Sequence, residues 1–337
     1  MTLPWHADAW ARLQAWGRRP PHAVLLRGRS GLGKTELARA YAKWILCESN
    51  TAATSACGRC EACLWFEQGN HPDFRQVEPE SLSTEAIPGG DAPEEPKSRG
   101  SAKPSRQIKI DQVRALQDFL GVGTHRSGLR VAIVRPAEAM NISTANALLK
   151  SLEEPPPDTV FLLVSSQPAR LLPTIRSRCQ AIDVASPRTD QALAWLASEG
   201  VADADAVLAF SGNAPLDARD DAGAEGLRKT LPVLLSGRWD PLSVVDRLQG
   251  EEPAAVIDAL QKWVYDAELT RVIGSGRYFP MQAGRPTRLV GCPPADLARF
   301  NRTLAQARSV ASHPLNPRLF MESLFVELAR LEGDRDG

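Results

Sequence analysis

Hydrophobic positions follow two rhythms along this chain. Up to about residue 187, short apolar runs alternate with stretches whose apolar residues recur every three or four positions. Ala23-Val24-Leu25-Leu26, Arg130 to Val134, Thr159 to Val164 and Gln180 to Val184 are the runs of strand length. The first three are almost continuously apolar, the pattern of strands covered on both faces. Between them the spacing predicts a helix over Glu36 to Ile45, and one capped by Asp111 that aligns Val113, Leu116 and Leu120. A third runs from about Ser143 to Glu153 and is stopped by Pro155-Pro156-Pro157, and a short piece covers Ala169 to Arg178. Strands alternating with helices imply an α/β unit built on a parallel sheet. Beyond Pro187 the strand runs cease, and helical segments broken by Gly and Pro take over. The expected organisation is an α/β domain over 1–187, a small helical domain over 188–238 and an all-α C-terminal domain over 239–337. Trp5, Trp10 and Trp16 are expected to pack a first helix against the sheet.

One segment breaks both rhythms. Residues 78–106 are mostly Pro, Ser, Gly, Glu and Lys, with scarcely a large apolar side chain, and read as a mobile surface insertion. Charge changes the picture by what it excludes. Forty Lys and Arg balance forty Asp and Glu, so no global field draws the chain to nucleic acid or an anionic membrane. Met1 to Trp10 lacks the basic start and apolar core of a signal peptide, and no run approaches the ~18 apolar residues of a membrane span. A soluble, cytoplasmic protein without membrane contact is expected.

The strand ending at Leu26 leads directly into candidate chemistry. Gly28-Arg29-Ser30-Gly31-Leu32-Gly33-Lys34-Thr35 has the Gly-x4-Gly-Lys-Thr spacing of a phosphate-binding loop between strand and helix. In such a loop, inward N–H groups, here around Gly28, Ser30, Gly31 and Gly33, cradle phosphates. Lys34 would reach the β and γ phosphates, and Thr35 could hold Mg²⁺. A hydrolytic loop also needs a carboxylate at the end of the strand beside it. The strand ending at Val134 is instead followed by Arg135 and Pro136. Glu138 lies three residues too far, where a turn would aim it elsewhere, and Arg135 would put positive charge where Mg²⁺ should sit. ATP with Mg²⁺ can therefore bind, while intrinsic ATPase activity is expected to be absent or very slow. Four of the six cysteines cluster: Cys47, Cys57, Cys60 and Cys63. In a reducing compartment four thiolates suit structural zinc better than two disulfides, and they leave no open position for a reacting water. The polar loop 48–56 would then depend on the metal for its order. His71 is near but superfluous to a complete shell, Cys179 and Cys292 read as apolar fillers, and His22 as a structural or adenine-pocket neighbour.

Ala145-Asn146-Ala147-Leu148-Leu149-Lys150-Ser151-Leu152-Glu153-Glu154-Pro155-Pro156, followed by Ser177-Arg178-Cys179, resembles the bacterial clamp-loader subunits of the AAA+ class. The resemblance runs from about Pro21 to Val184 and includes the cysteine cluster, with one residue more between Cys47 and Cys57 than that family has. It implies an AAA+ domain with a helical lid, and a C-terminal collar that holds a ring of five different subunits together. It also implies partners: ATP-hydrolysing motor subunits (gamma or tau type), a delta subunit and, through the assembly, a sliding clamp and primer-template DNA. The ring belongs to a DNA polymerase holoenzyme. Arg135 and Pro136 fall where the motor has its acidic pair, Pro215 where it has a sensor-2 arginine, and Ser165 or Ser166 at the sensor-1 place. The resemblance thus implies a non-hydrolysing ring member in which Arg178 is an arginine finger for a neighbour's ATP, with the motor subunit as the alternative. A zinc-dependent nucleic-acid-binding module would need a basic surface, and a small-molecule kinase would need neither the Ser-Arg-Cys tripeptide nor the cysteines.

Overall fold

The computed structural model describes residues 2–17, 19–49, 55–83, 104–121, 128–220, 227–228, 231–232, 239–279, 288–311 and 316–333. The central part of the expected insertion, 84–103, lies outside these residues, as do 50–54 of the loop before Cys57 and most of 221–238. The chain divides into two compact units, Met1–Pro187 and Arg188–Gly337.

In the first unit the elements run α1 (Ala7–Ala15), β1 (Ala23–Arg27), α2 (Lys34–Leu46), α3 (Glu61–Glu67), β2 (Phe74–Val77), α4 (Ile110–Gly121) and β3 (Arg130–Val134). They continue with α5 (Ile142–Glu153), β4 (Thr159–Ser165), α6 (Pro173–Arg178) and β5 (Gln180–Asp183). The sheet is five-stranded and parallel, in the order β2-β3-β4-β1-β5. Successive side chains of a strand face opposite ways, and the apolar runs use both faces. Val24, Leu26, Val131, Ile133, Val160 and Leu162 join the core beneath α1 to α3, while Leu25, Ala132, Val134, Phe161 and Leu163 join the core beneath α4 to α6.

Two elements escaped the sequence pattern. β2 has only its ends buried, because an edge strand tolerates Arg75 and Gln76 in its middle. It pairs β3 from Phe74↔Val131 to Val77↔Val134. α3 is short, and its buried Ala62, Cys63 and Phe66 anchor the cysteine region from its far side. The sheet order also corrects an expectation: β3 does not adjoin β1, since β4 lies between them. The register sets Arg27 opposite Ser165 and Val134 opposite Leu163, so the segments after β1, β3 and β4 all leave at the C-terminal edge.

The second unit is helical among its described residues. α7 (Thr189–Ser198), α8 (Ala204–Phe210) and α9 (Pro215–Asp220) share a small core of Ala192, Leu196, Val207, Leu208 and Ala218. α10 (Pro241–Arg247), α11 (Pro253–Ile273), α12 (Pro294–Val310) and α13 (Pro317–Gly333) enclose a larger one around Trp263, Phe300 and Phe325, which Phe210 also enters. Among the described residues no helix is long and apolar enough to cross a membrane.

Candidate functional site

The loop between β1 and α2 is shaped by close approaches. Gly28 donates its N–H to the Ser165 carbonyl at 3.3 Å, and a Cβ there would lie 2.6 Å from the Val184 carbonyl oxygen. Gly33, at φ +76°, precedes the helix, and a Cβ on it would lie 2.4 Å from Leu3 Cδ1 and 3.0 Å from His6 Cε1. Gly31 also has positive φ, Ser30 is exposed, and Lys34 and Thr35 form the first turn of α2, whose amides are the unsatisfied donors of a helix start. Lys34 is buried and its ammonium donates to the Arg29 carbonyl of the loop itself. The loop thus ends at a helix start, with its lysine folded back onto the loop's own Arg29 carbonyl.

Residues before α1 brace the other side of that loop, which the sequence reading missed. The Trp5 indole donates to the Leu32 carbonyl at 2.9 Å, and His6 Nε2 meets the same oxygen at 2.7 Å. Leu3 N–H donates to His6 Nδ1 at 3.2 Å, so Nε2 carries the proton. Burial holds the His6 pKa below its ordinary value. Trp5 therefore serves the loop, whereas Trp10 packs α1 edge-on against Tyr41 and Trp44 of α2 and, with Trp16, lies against the core under the sheet. His22 is exposed and pairs through its carbonyl with Phe161 N–H.

At the ends of β3 and β4 the polar groups are arranged differently from expectation. Arg135 ion-pairs with Glu78, which follows β2, so its guanidinium leans away from β4 and β1 and its charge is compensated. It does not stand free at the place where Mg²⁺ was expected to be repelled. Glu138 turns the opposite way: Oε1 accepts the Ser166 N–H at 2.9 Å, and Oε2 is buried without a hydrogen-bond partner among the described residues. The carboxylate is thus aimed at the end of β4, closer to the phosphate loop than its sequence position suggested. Ser165 is fully buried, and its hydroxyl accepts from Gln167 N–H at 3.2 Å.

The four clustered cysteines converge. Their sulfurs lie within 4.8 Å of one another, with Cys47–Cys60 and Cys57–Cys63 at 3.9 Å. Four sulfurs about 2.3 Å from a tetrahedral zinc ion would be about 3.8 Å apart, so this set can hold a metal. No pair is at disulfide-bonding distance. Amides of Arg59 and Cys60 donate to Cys57 Sγ and hold its pKa down at about 6, the protonation a metal ligand needs. Burial pushes Cys47 and Cys63 up. His71 is buried outside this set and its Nδ1 accepts from Asp73 N–H at 3.0 Å. Cys179 and Cys292 pack into apolar cores, where burial pushes Cys179 up to about 12.

Arg178 closes α6 far from the phosphate loop. Two residues later β5 begins, with Gln180 opposite Val24 at the start of β1. Arg178 therefore lies at the N-terminal edge of the sheet, and the loop at the C-terminal edge, separated by the five residues of β1, about 16 Å at ~3.3 Å per residue. Arg178 is half-buried and pairs with Glu153 of α5 at 2.7 Å, whereas Arg176 beside it is exposed.

The family described as DNA polymerase III, delta subunit, matches residues 8–188. DNA polymerase III subunit delta' of Pseudomonas aeruginosa is 40% identical over 238 residues, which are 69% of this chain and 65% of that protein. Its counterpart in Yersinia pestis is 33% identical over 268 residues, 74% of this chain and 70% of that protein. The chain belongs to the DNA polymerase III delta prime family. The family match takes in the phosphate loop, the four cysteines and Arg178, and stops at the junction of the two units. DNA polymerase III subunit tau of Escherichia coli is a more distant match, 32% identical over 168 residues, 48% of this chain and 22% of that protein. The chain spans between half and about two thirds of the length of the first delta prime relatives it matches.

Proposed function

We propose that this chain is the delta prime subunit of a cytoplasmic clamp loader, a ring member that does not turn over ATP itself and serves a neighbour's site. The observation that carries this is the placement of Arg178. A guanidinium at the edge of the sheet opposite its own phosphate loop cannot reach a nucleotide held there, yet its exposed edge is available to a nucleotide on another subunit. An arginine supplied in this way stabilises charge on a transferring phosphoryl group and is worth roughly 10³-fold or more at the site it enters.

The chain's own loop, Gly28, Ser30, Gly31, Gly33, Lys34 and Thr35, would hold ATP with Mg²⁺ as a fixed ligand. The end of β3 offers Arg135 and Pro136 in place of acids, and Pro215 opens α9 in place of a second arginine. Cys47, Cys57, Cys60 and Cys63 would hold a structural zinc ion, whose chemistry is to cross-link the end of α2 to α3. Residues 188–238 would act as the lid and 239–337 as the collar that joins motor, delta and delta prime subunits in a ring of five. Through that ring the chain would act on the sliding clamp and primer-template DNA.

The competing motor reading rests on Glu138, whose Oε1 accepts the Ser166 N–H after β4 and whose Oε2 is buried without a hydrogen-bond partner among the described residues. The isolated chain separates the two. It should bind ATP without measurable hydrolysis, and Glu138→Gln should change nothing; turnover abolished by Glu138→Gln or Lys34→Ala would transfer the chain to the motor class.

A further inference from the structure

The ion pair at the N-terminal edge of the sheet gives Glu153 a role. Glu153 is the last residue of α5 and Arg178 the last of α6. The backbone around Arg178 is fixed on both sides, since Ile175 is fully buried and Cys179 packs against the same core as Leu148 and Leu152. Only the side chain is left to be placed, and an arginine has many rotamers to choose among. Three contacts place it. Nη1 donates to the Thr174 carbonyl at 3.0 Å and to Ser177 Oγ at 3.4 Å, both within α6, and Nη2 meets Glu153 Oε1 at 2.7 Å. Side-chain exposures of 35% for Arg178 and 47% for Glu153 leave the rest of the fork open to solvent.

An exposed pair of this kind contributes little to stability, because water screens it and both side chains lose freedom. Its consequence is orientation. A guanidinium has five N–H donors in a rigid plane, so engaging one edge directs the other. We infer that Glu153 is a positioning residue for Arg178, holding one edge of the guanidinium so that the other is presented to the phosphate of a neighbouring subunit. The inference rests on the reading of Arg178 as an arginine that acts in trans, and it assigns a task to the first glutamate of the Glu153-Glu154-Pro155-Pro156 run. Glu153 touches no substrate; it acts through Arg178.

The test uses the full chain reconstituted with motor and delta subunits, clamp and primed DNA, and reads DNA-stimulated ATP turnover for Glu153→Gln, Arg178→Ala and the double variant. Glu153→Gln should lower kcat about 3-fold or more at the site this chain faces, with KM for ATP and the Tm of the chain unchanged. It should have no further effect in the Arg178→Ala background. Wild-type turnover for Glu153→Gln alongside a fall for Arg178→Ala would overturn the positioning role and leave the trans arginine standing. Raised turnover would overturn it too, since the pair would then be restraining the arginine. An additive double variant would show that Glu153 acts independently of Arg178. No effect of Arg178→Ala would remove the reading beneath the inference, and the inference with it.

Discussion

Asp266 holds the second unit together at a point where the cost of losing it can be worked out. It sits on α11, is buried, and is an acceptor for a turn eleven to thirteen residues further on. Oδ1 accepts from Arg277 N–H at 2.8 Å and Tyr278 N–H at 3.1 Å; Oδ2 accepts from Tyr278 N–H at 2.9 Å and Phe279 N–H at 2.8 Å. That turn delivers Phe279 edge-on to Phe210 and Trp263, with ring centroids at 5.4 Å and 5.2 Å. Gly276 permits the approach, since a Cβ there would lie 2.6 Å from Oδ2. Asp266→Ala leaves three backbone donors without their acceptor, at about 1–3 kcal/mol for each that water does not reach. The Phe279 amide is buried and the other two are part-buried, so the expected loss is about 3–5 kcal/mol. Asp266→Asn keeps one acceptor oxygen and should cost about half as much. Urea unfolding followed by far-UV circular dichroism reads both variants, with the m-value checked for constancy. A loss below about 1 kcal/mol for Asp266→Ala would refute the view that this carboxylate organises the turn.

The protein purified without chelator should contain one zinc per chain, and chelation or Cys63→Ala should lower the Tm of the first unit; metal-free protein of unchanged Tm would remove the metal site. Gly33→Ala should destabilise by about 1–2 kcal/mol for its left-handed backbone alone, with more from displacing Leu3 and His6; unfolding equal to wild type would contradict the bracing of the loop. His6 binds its proton less readily in the folded chain, because burial lowers its pKa. Its contribution is therefore complete above the unfolded value of about 6.5 and is lost as pH falls through the lower folded one. His6→Gln should flatten stability against pH in that window, and an unchanged slope would exclude His6 as its source.

Much of the first unit could be read from residues alone, and the omissions have physical reasons. Strands buried on both faces announce themselves as continuous apolar runs, so β1, β3 and β4 were legible. β2 was not, because an edge strand needs only Phe74 and Val77 inside. The phosphate loop and the cysteine cluster were legible because their chemistry fixes spacing as well as residue type. The Leu3–His6 brace was not, since Trp and His serve a loop through hydrogen bonds to a carbonyl that no sequence pattern marks. Side-chain direction was the other gap. Arg135 leans to Glu78 and Glu138 turns to Ser166, each the reverse of what position along the chain suggested. Arg178 was singled out through the family resemblance, whereas its pairing with Glu153 belongs to tertiary structure, since the two meet only when α5 and α6 end at the same edge of the sheet.

The most direct test of the account is ATP turnover by the reconstituted ring, with and without this chain, comparing wild type with Arg178→Ala. The chain should raise DNA-stimulated turnover above that of the ring lacking it. Arg178→Ala should assemble normally and lose that gain at the site it faces, without changing the stability of the chain. Full stimulation by the Arg178→Ala chain would contradict the claim that its catalytic contribution is made on a neighbour's ATP.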